Sequence, residues 1–462
     1  MLTTLSNQAL VEYYRCAEGI GDFVPAGRLS DDSGFFKFGP EVICYGQSSS
    51  GVSAQAVAAG LHDSLQDVSI EGSILRLPFD PTQVINNLRC ERYAMNTASA
   101  TPKSALKSLV RNGYYAIRPL LPVRIRRRMQ QFRLRGWAEI PFPRWPVDRT
   151  VEDLMERLLL VSLQAQAIQR IPFIWFWPEG SPSCAIVTHD VEELAGRDFC
   201  TTLMDLNDSA GIKSSFQIVP EERYPVPESF LDEIRQRGFE VNIHDLNHDG
   251  NLYREREMFL QRAQRINQYG KKFRAVGFRS GALYRNADWY GALDFSYDLS
   301  VPNVGHLEAQ QGGCCTVMPF FVGNTLQLPL TTTQDYSLFN ILRSYSINLW
   351  IKQIELITQK HGLITFIVHP DYIIEKRARD TYQTLLEYIA RMRSEGKVWL
   401  ALPREVADWW RQRRQMKLVR DNGAWRIEGP GKERARIAYA AVDGGKISYE
   451  IESSGKQAFD FS

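Results

Sequence analysis

The chain has 462 residues, 44% of them apolar and 23% charged, and a net charge of +2. This composition builds cores, the length exceeds one ordinary domain, and the charge gives no global drive towards nucleic acid. No run approaches the roughly 18 apolar residues of a membrane span. The start lacks a basic stretch leading into an apolar one, and the seven cysteines form no C-x-x-C pair, so a cytoplasmic chain with free thiols is expected.

Residues 1–100 show short alternations, "GFFKFG", "EVICYG" and "SILRLPF", between Gly, Ser and Asp clusters. They predict a small mixed or β-rich domain. Residues 101–180 read as a basic and helical connection. Arg124, Arg126, Arg127, Arg128, Arg133 and Arg135 crowd together. They suit either an anionic partner, a lipid headgroup or a sugar diphosphate, or a solvated helix face; the near-neutral chain favours the face. Residues 151–170 then predict one amphipathic helix with Leu154, Leu158, Val161 and Leu163 on its core side.

From 181 to 405 short apolar runs alternate with helical segments. The runs are "CAIVTHD", "KSSFQIVP", "FEVNIHD", "AVGFRSG", "FSYDLSV", "LQLPL", "LITFIVHP" and "KVWLAL". Several helical segments close on Gly, as a C-cap would. Such alternation predicts parallel βα units, and seven to eight strands favour a barrel with its chemistry at the carboxyl ends of the strands. Residues 406–462, with "DNG", "GPG" and "DGG" turns, predict a small antiparallel β appendage. Trp409, Trp410 and Trp425 are expected to pack it.

The proposed strand ends carry the chemistry. The first delivers His189, Asp190 and Glu192, the third His244 with His248 four residues on, and the fourth Arg279. The fifth carries Asp298 and Ser300, and the seventh, "LITFIVHP", ends at His369. Acid, base, cation and imidazoles thus share one end of the sheet. A strand places neighbours on opposite faces, so His189 should pack away from a site that holds Asp190. Asp245 and Asp249, beside the histidines, read as solvated loop residues.

This ordered set resembles the polysaccharide deacetylase family, which shares the NodB homology domain. "THDVE" stands where that family has T-F-D-D-G, and "HDLNH" where it has H-[ST]-x-x-H. "FRSGALY" keeps the family's Arg without its Pro, "DLSVPN" keeps the D-x-S-x-x-P pattern in part, without its Trp, and the fifth motif is a strand ending in His. The resemblance covers about residues 183–403 and implies a distorted (β/α)7–8 barrel of the polysaccharide deacetylase type. It implies a divalent metal ion, zinc foremost, and an N-acetylated saccharide as substrate, with surface-polysaccharide metabolism as the setting. It also implies Asp190 as base steadied by Arg279, His369 as acid, and His244 and His248 as metal ligands. The family's second Asp is Val191 here, so Glu192 is the expected third ligand. Otherwise Asp190 ligates and the base lies elsewhere, or the barrel binds sugar without turning it over. Asp298, Ser300, Asp335 and Tyr336 are expected along the substrate groove, with Tyr284 and Trp289 as candidates for stacking on a sugar ring. A metal-dependent hydrolase of another amide or ester would use the same residues.

Overall fold

The computed structural model describes residue 5 and residues 7–16, 22–51, 54–94 and 134–452. The arginine-rich segment up to Arg133 lies outside the described residues, and Arg135 is exposed. The chain forms two compact units, one from residues 1–97, 149–181 and 408–462, the other from 98–148 and 182–407.

The first unit joins segments far apart in sequence. Its helix Thr150–Ala165 buries Leu154, Leu158, Val161 and Leu163 as expected, but stops at Ala165. The following "RIPFI" is a strand, Arg170–Ile174, because its β-branched and aromatic residues suit a pleat better than a helix. This strand pairs antiparallel with Ile437–Asp443, which pairs in turn with Lys446–Ile451. The C-terminal hairpin is therefore part of a three-stranded sheet rather than a free appendage. Arg413, 2% exposed, ties the segments together by donating to the carbonyls of Tyr13, Tyr14, Ile174 and Trp175. Burial without an acidic partner lowers its pKa to about 9. Trp409 is buried and donates its indole N–H to the Phe176 carbonyl.

The second unit is the α/β barrel. Its strands are β1 (Cys184–Val191), β2 (Ser215–Ile218), β3 (Glu240–His244), β4 (Gly277–Arg279), β5 (Tyr297–Asp298), β6 (Phe320–Val322), β7 (Thr325–Gln327), β8 (Leu363–Ile367) and β9 (Trp399–Leu400). They lie in the order β6-β7-β5-β4-β3-β2-β1-β8, with β9 beside the start of β1. Every pairing is parallel except the β6–β7 hairpin. Helices α1 (Leu194–Ser209), α2 (Glu228–Gln236), α3 (Arg256–Lys272), α4 (Asn348–Thr358) and α5 (Lys376–Ser394) connect them. All eight residues of β1 are buried, as a parallel strand covered on both faces requires. The apolar core lies between sheet and helices, from Val187, Val191 and Phe216 to Leu203, Ile234, Ile266 and Leu385.

The sheet closes by an unusual seam. Beyond β7 the chain runs beside β8, and side chains take the place of a ladder there. The hydroxyls of Thr331 and Thr332 donate to the carbonyls of Leu363 and Thr365, and the Thr365 N–H donates back to the Thr331 hydroxyl.

Of the glycines expected as caps, Gly238 and Gly396 do adopt positive φ just past α2 and α5. Gly270 does not cap. It lies inside α3, where a Cβ would stand 2.9 Å from the Phe295 ring. Gly277 opens β4 because a Cβ would come within 2.2 Å of Tyr297.

Tyr297 donates to Glu240, a carboxyl 4% exposed whose pKa burial pushes up to about 7. The folded state therefore holds a proton that the unfolded state releases between about pH 4.5 and 7, so stability falls as pH rises through that window. A shift of this size corresponds to about 3 kcal/mol. Glu240→Gln removes the titration but loses the bond accepted from the Arg404 N–H, worth about 1 kcal/mol. The variant is expected to be more stable than the parent by about 2 kcal/mol at pH 8 and to lose this advantage at pH 4.5, as urea denaturation at the two pH values would measure. No helix among the described residues is long and apolar enough to cross a membrane.

Candidate metal and acid–base site

The parity of β1 sets the site. Asp190 and Glu192, two apart, share one face; His189 and Val191 share the other. Val191 is fully buried in the apolar core. His189 is fully buried as well. Its Nδ1–H donates to the Val368 carbonyl at 2.9 Å, and its Nε2 accepts from Asn207 at 3.0 Å. Burial lowers its pKa to about 4, so it is a neutral packing residue.

His244 ends β3 and donates Nδ1–H to the Arg279 carbonyl at 3.1 Å, which leaves the Nε2 lone pair for the site. The chain then turns sharply, with positive φ at both Asp245 and His248. Asp245 is 1% exposed, not solvated as expected. It accepts from the Leu246 N–H at 2.7 Å and the Gly281 N–H at 3.1 Å, bracing the turn. Gly281 has to be glycine here, since a Cβ would lie 2.5 Å from Asp245 Oδ2 and 2.9 Å from His248. Asp249 is also engaged rather than free, in a two-pronged pair with Arg262 at 2.7 Å per bond.

These loops converge on one atom, Oε1 of Glu192. Around it lie Nε2 of His248 at 2.9 Å, of His369 at 3.4 Å and of His244 at 3.5 Å. Ligating atoms of Glu192, His244 and His248 fall within 4.8 Å of one another, and so do those of Asp190, Glu192 and His369. His248 is 5% exposed, and among the described residues neither ring nitrogen has a well-formed hydrogen bond. A buried imidazole held only by this off-axis contact to Glu192, beside two further imidazoles and that carboxylate, is a donor set suited to a divalent ion such as zinc. Burial opposes the charge of Glu192, but His248 and the neighbouring imidazoles outweigh it and hold the carboxyl well below its usual range.

Asp190 is paired with Arg279, Oδ1 to Nη1 at 2.5 Å, and its Oδ2 lies 3.7 Å from His244 Nε2. Arg279 is fully buried and also donates to Thr188 Oγ1 and the Leu299 carbonyl. Burial works against the Asp190 charge, but the guanidinium overcomes it and the pKa is lowered.

His369 follows β8. Asp335, placed in the substrate groove by sequence, is instead committed to this histidine. It accepts the His369 N–H at 2.7 Å on Oδ2 and Nδ1–H at 2.6 Å on Oδ1. The exchangeable proton of His369 is therefore on Nε2, facing the site. Burial disfavours the imidazolium, yet Asp335 and Glu192 together raise the pKa well above 6.5.

The remaining groove candidates are held by neighbours within the barrel. Asp298 is 2% exposed and accepts from Ser300, through Oγ at 2.6 Å and N–H at 3.2 Å, while Ser300 Oγ accepts from the Ser280 N–H. This pair locks the loops after β4 and β5 together. Tyr284 is buried. Trp289 packs on Tyr253 and Phe259. Tyr336 lies near the acid, its ring 5.5 Å from Tyr372, which is 4.8 Å from the His369 ring.

No family model matches the chain, and no curated protein matches it. Among solved structures it is similar to a Mycobacterium smegmatis protein ascribed to the polysaccharide deacetylases, at 16% identity and TM-score 0.42, over 52% of this chain and 93% of that one. It is also similar to Puue allantoinase, at 14% identity and TM-score 0.37, over 51% and 92%. A third is a mutant of BA3943, a CE4 family pseudoenzyme with restored enzymatic activity, at 13% identity and TM-score 0.33, over 49% and 68%. The resemblance to the polysaccharide deacetylases thus extends over about half of this chain.

Proposed function

We propose that the chain is a metal-dependent hydrolase that removes acetyl groups from N-acetylated amino sugars. The observation that carries this reading is the convergence of three imidazoles and the Glu192 carboxylate beside an ionised Asp190, all at the carboxyl ends of parallel strands. An inactive barrel is less well supported, because the loss of a carboxylate at Val191 is met by Glu192 on the correct face.

Hydrolysis of an amide needs a stronger nucleophile than neutral water and a proton for the departing amine. A bound divalent ion supplies the first requirement by bringing the pKa of a water to about 7, and it polarises the carbonyl. His244, His248 and Glu192 would hold that ion. Asp190, kept anionic and oriented by Arg279, takes the proton from the attacking water. His369 then donates the Nε2 proton to the leaving nitrogen, and Asp335 stabilises the imidazolium until it does so.

Purified protein loaded with Zn2+ is expected to hold one ion per chain and to release acetate from N-acetylglucosamine oligomers. A panel of simple amides and acetate esters tests the substrate class. If a loaded protein releases acid from these and none from the amino sugars, the saccharide assignment is wrong.

Asp335→Asn keeps the shape but removes the charge that favours the His369 imidazolium. Because that pKa is raised, the acid form normally persists above about pH 6.5. The alkaline limb of kcat/KM is expected to move to lower pH in the variant, and kcat to fall by about 100-fold. An unmoved limb in the pH–rate profile would remove His369 from the role of acid.

A further inference from the structure

The loop after β2 reaches over to the backbone that carries Glu192. The last paired residues of β1 and β2 are Val191 and Ile218. The next rung of a parallel ladder would join the Val219 N–H to the Val191 carbonyl. In its place stands the hydroxyl of Tyr224, which accepts from the Val219 N–H at 3.1 Å and donates to the Val191 carbonyl at 2.5 Å. One residue further on, Arg223 Nε donates to the Glu192 carbonyl at 2.9 Å, and its Nη2 meets Glu193 Oε1 at 2.5 Å. Tyr224 is 8% exposed.

A hydroxyl inserted between N–H and carbonyl holds the two strands farther apart than a direct bond would. The end of β1 is thereby splayed from β2 at the residue before Glu192, and Arg223 fixes the carbonyl of Glu192 itself. Two successive carbonyls are held, so the backbone leading to the Glu192 side chain has little freedom. Glutamate needs such control, since its extra methylene gives it more ways to miss three imidazoles than aspartate has.

We infer that Tyr224 and Arg223 are positioning residues that splay and clamp the end of β1 so that the Glu192 carboxylate meets His244 and His248 around a divalent cation. This inference rests on the metal reading proposed above, and the test separates the two. Zn2+ affinity is measured by competition with a chromophoric chelator, and coordination by the visible spectrum of the Co2+-loaded protein, for the parent chain, Tyr224→Phe and Arg223→Gln. Each variant is expected to bind Zn2+ about tenfold more weakly and to shift the Co2+ absorption, with Arg223→Lys recovering part of the affinity. If the parent takes up neither ion, the metal reading fails and the clamp with it. If the parent binds and folded Tyr224→Phe and Arg223→Gln show the parent affinity and spectrum, the clamp alone is overturned. Should Tyr224→Phe fail to fold, Arg223→Gln decides, because Arg223 lies half-buried at the rim.

Discussion

Replacing Glu192 by Ala is expected to lower Zn2+ affinity by more than about 100-fold and to reduce acetate release below detection. Loss of a group that merely orients a ligand costs about 10- to 100-fold in affinity, and Glu192 is the group the imidazoles surround, at 2.9, 3.4 and 3.5 Å. Its immediate neighbours are placed for other tasks. Val191 points into the core, and Asp190 is committed to Arg279. Glu192→Asp keeps the charge but withdraws it by one methylene, so it should bind more weakly than the parent and more tightly than the alanine variant. Chelator competition across the three proteins gives the order. Parent affinity in Glu192→Ala would mean that the cation is held elsewhere.

Arg279→Met should be the most destabilising change in the barrel interior. It leaves the Asp190 carboxylate, 3% exposed, with its principal cation gone. Breaking one side of a buried pair costs about 3–5 kcal/mol because the other charge is stranded. Asp190 can relieve that cost by taking up a proton, so its pKa should rise, and the acid limb of the pH–rate profile should move to higher pH. The double variant Arg279→Met with Asp190→Asn strands no charge and should regain part of the lost stability. Urea denaturation of the two proteins measures the difference, and equal stability would show that the pair contributes nothing beyond the arginine's packing.

The parts of the barrel legible in sequence were those with local periodic signals. Apolar runs marked β1, β2, β3 and β8, and the polar residues that ended them, Asp190, His244 and His369, lie where a parallel barrel puts its chemistry. The spacing of two between Asp190 and Glu192 was enough to place both on one face. Features built from distant contacts had no such signal. Asp335 meets His369 across 34 positions of sequence, and nothing in "TTTQDYS" distinguishes it from a groove residue. Asp245 looked solvated because its acceptors' donors come from the next turn and from the loop after β4. The β6 strand, "FFV", is too short to stand out, and the strand Arg170–Ile174 was hidden by the apolar helix before it. Asp298 and Ser300 carried the right letters, but they bond each other.

The threonine seam has a consequence for the girth of the barrel. Between every other pair of neighbouring staves, widening means tearing main-chain rungs in register. Along the line from Thr331 to Thr365 only hydroxyl links hold the gap, each worth about 1 kcal/mol net. The hoop is therefore weakest on the side of the His369 stave that faces away from β1, whereas its other side is riveted to β1, the stave of Asp190, by a five-residue parallel register.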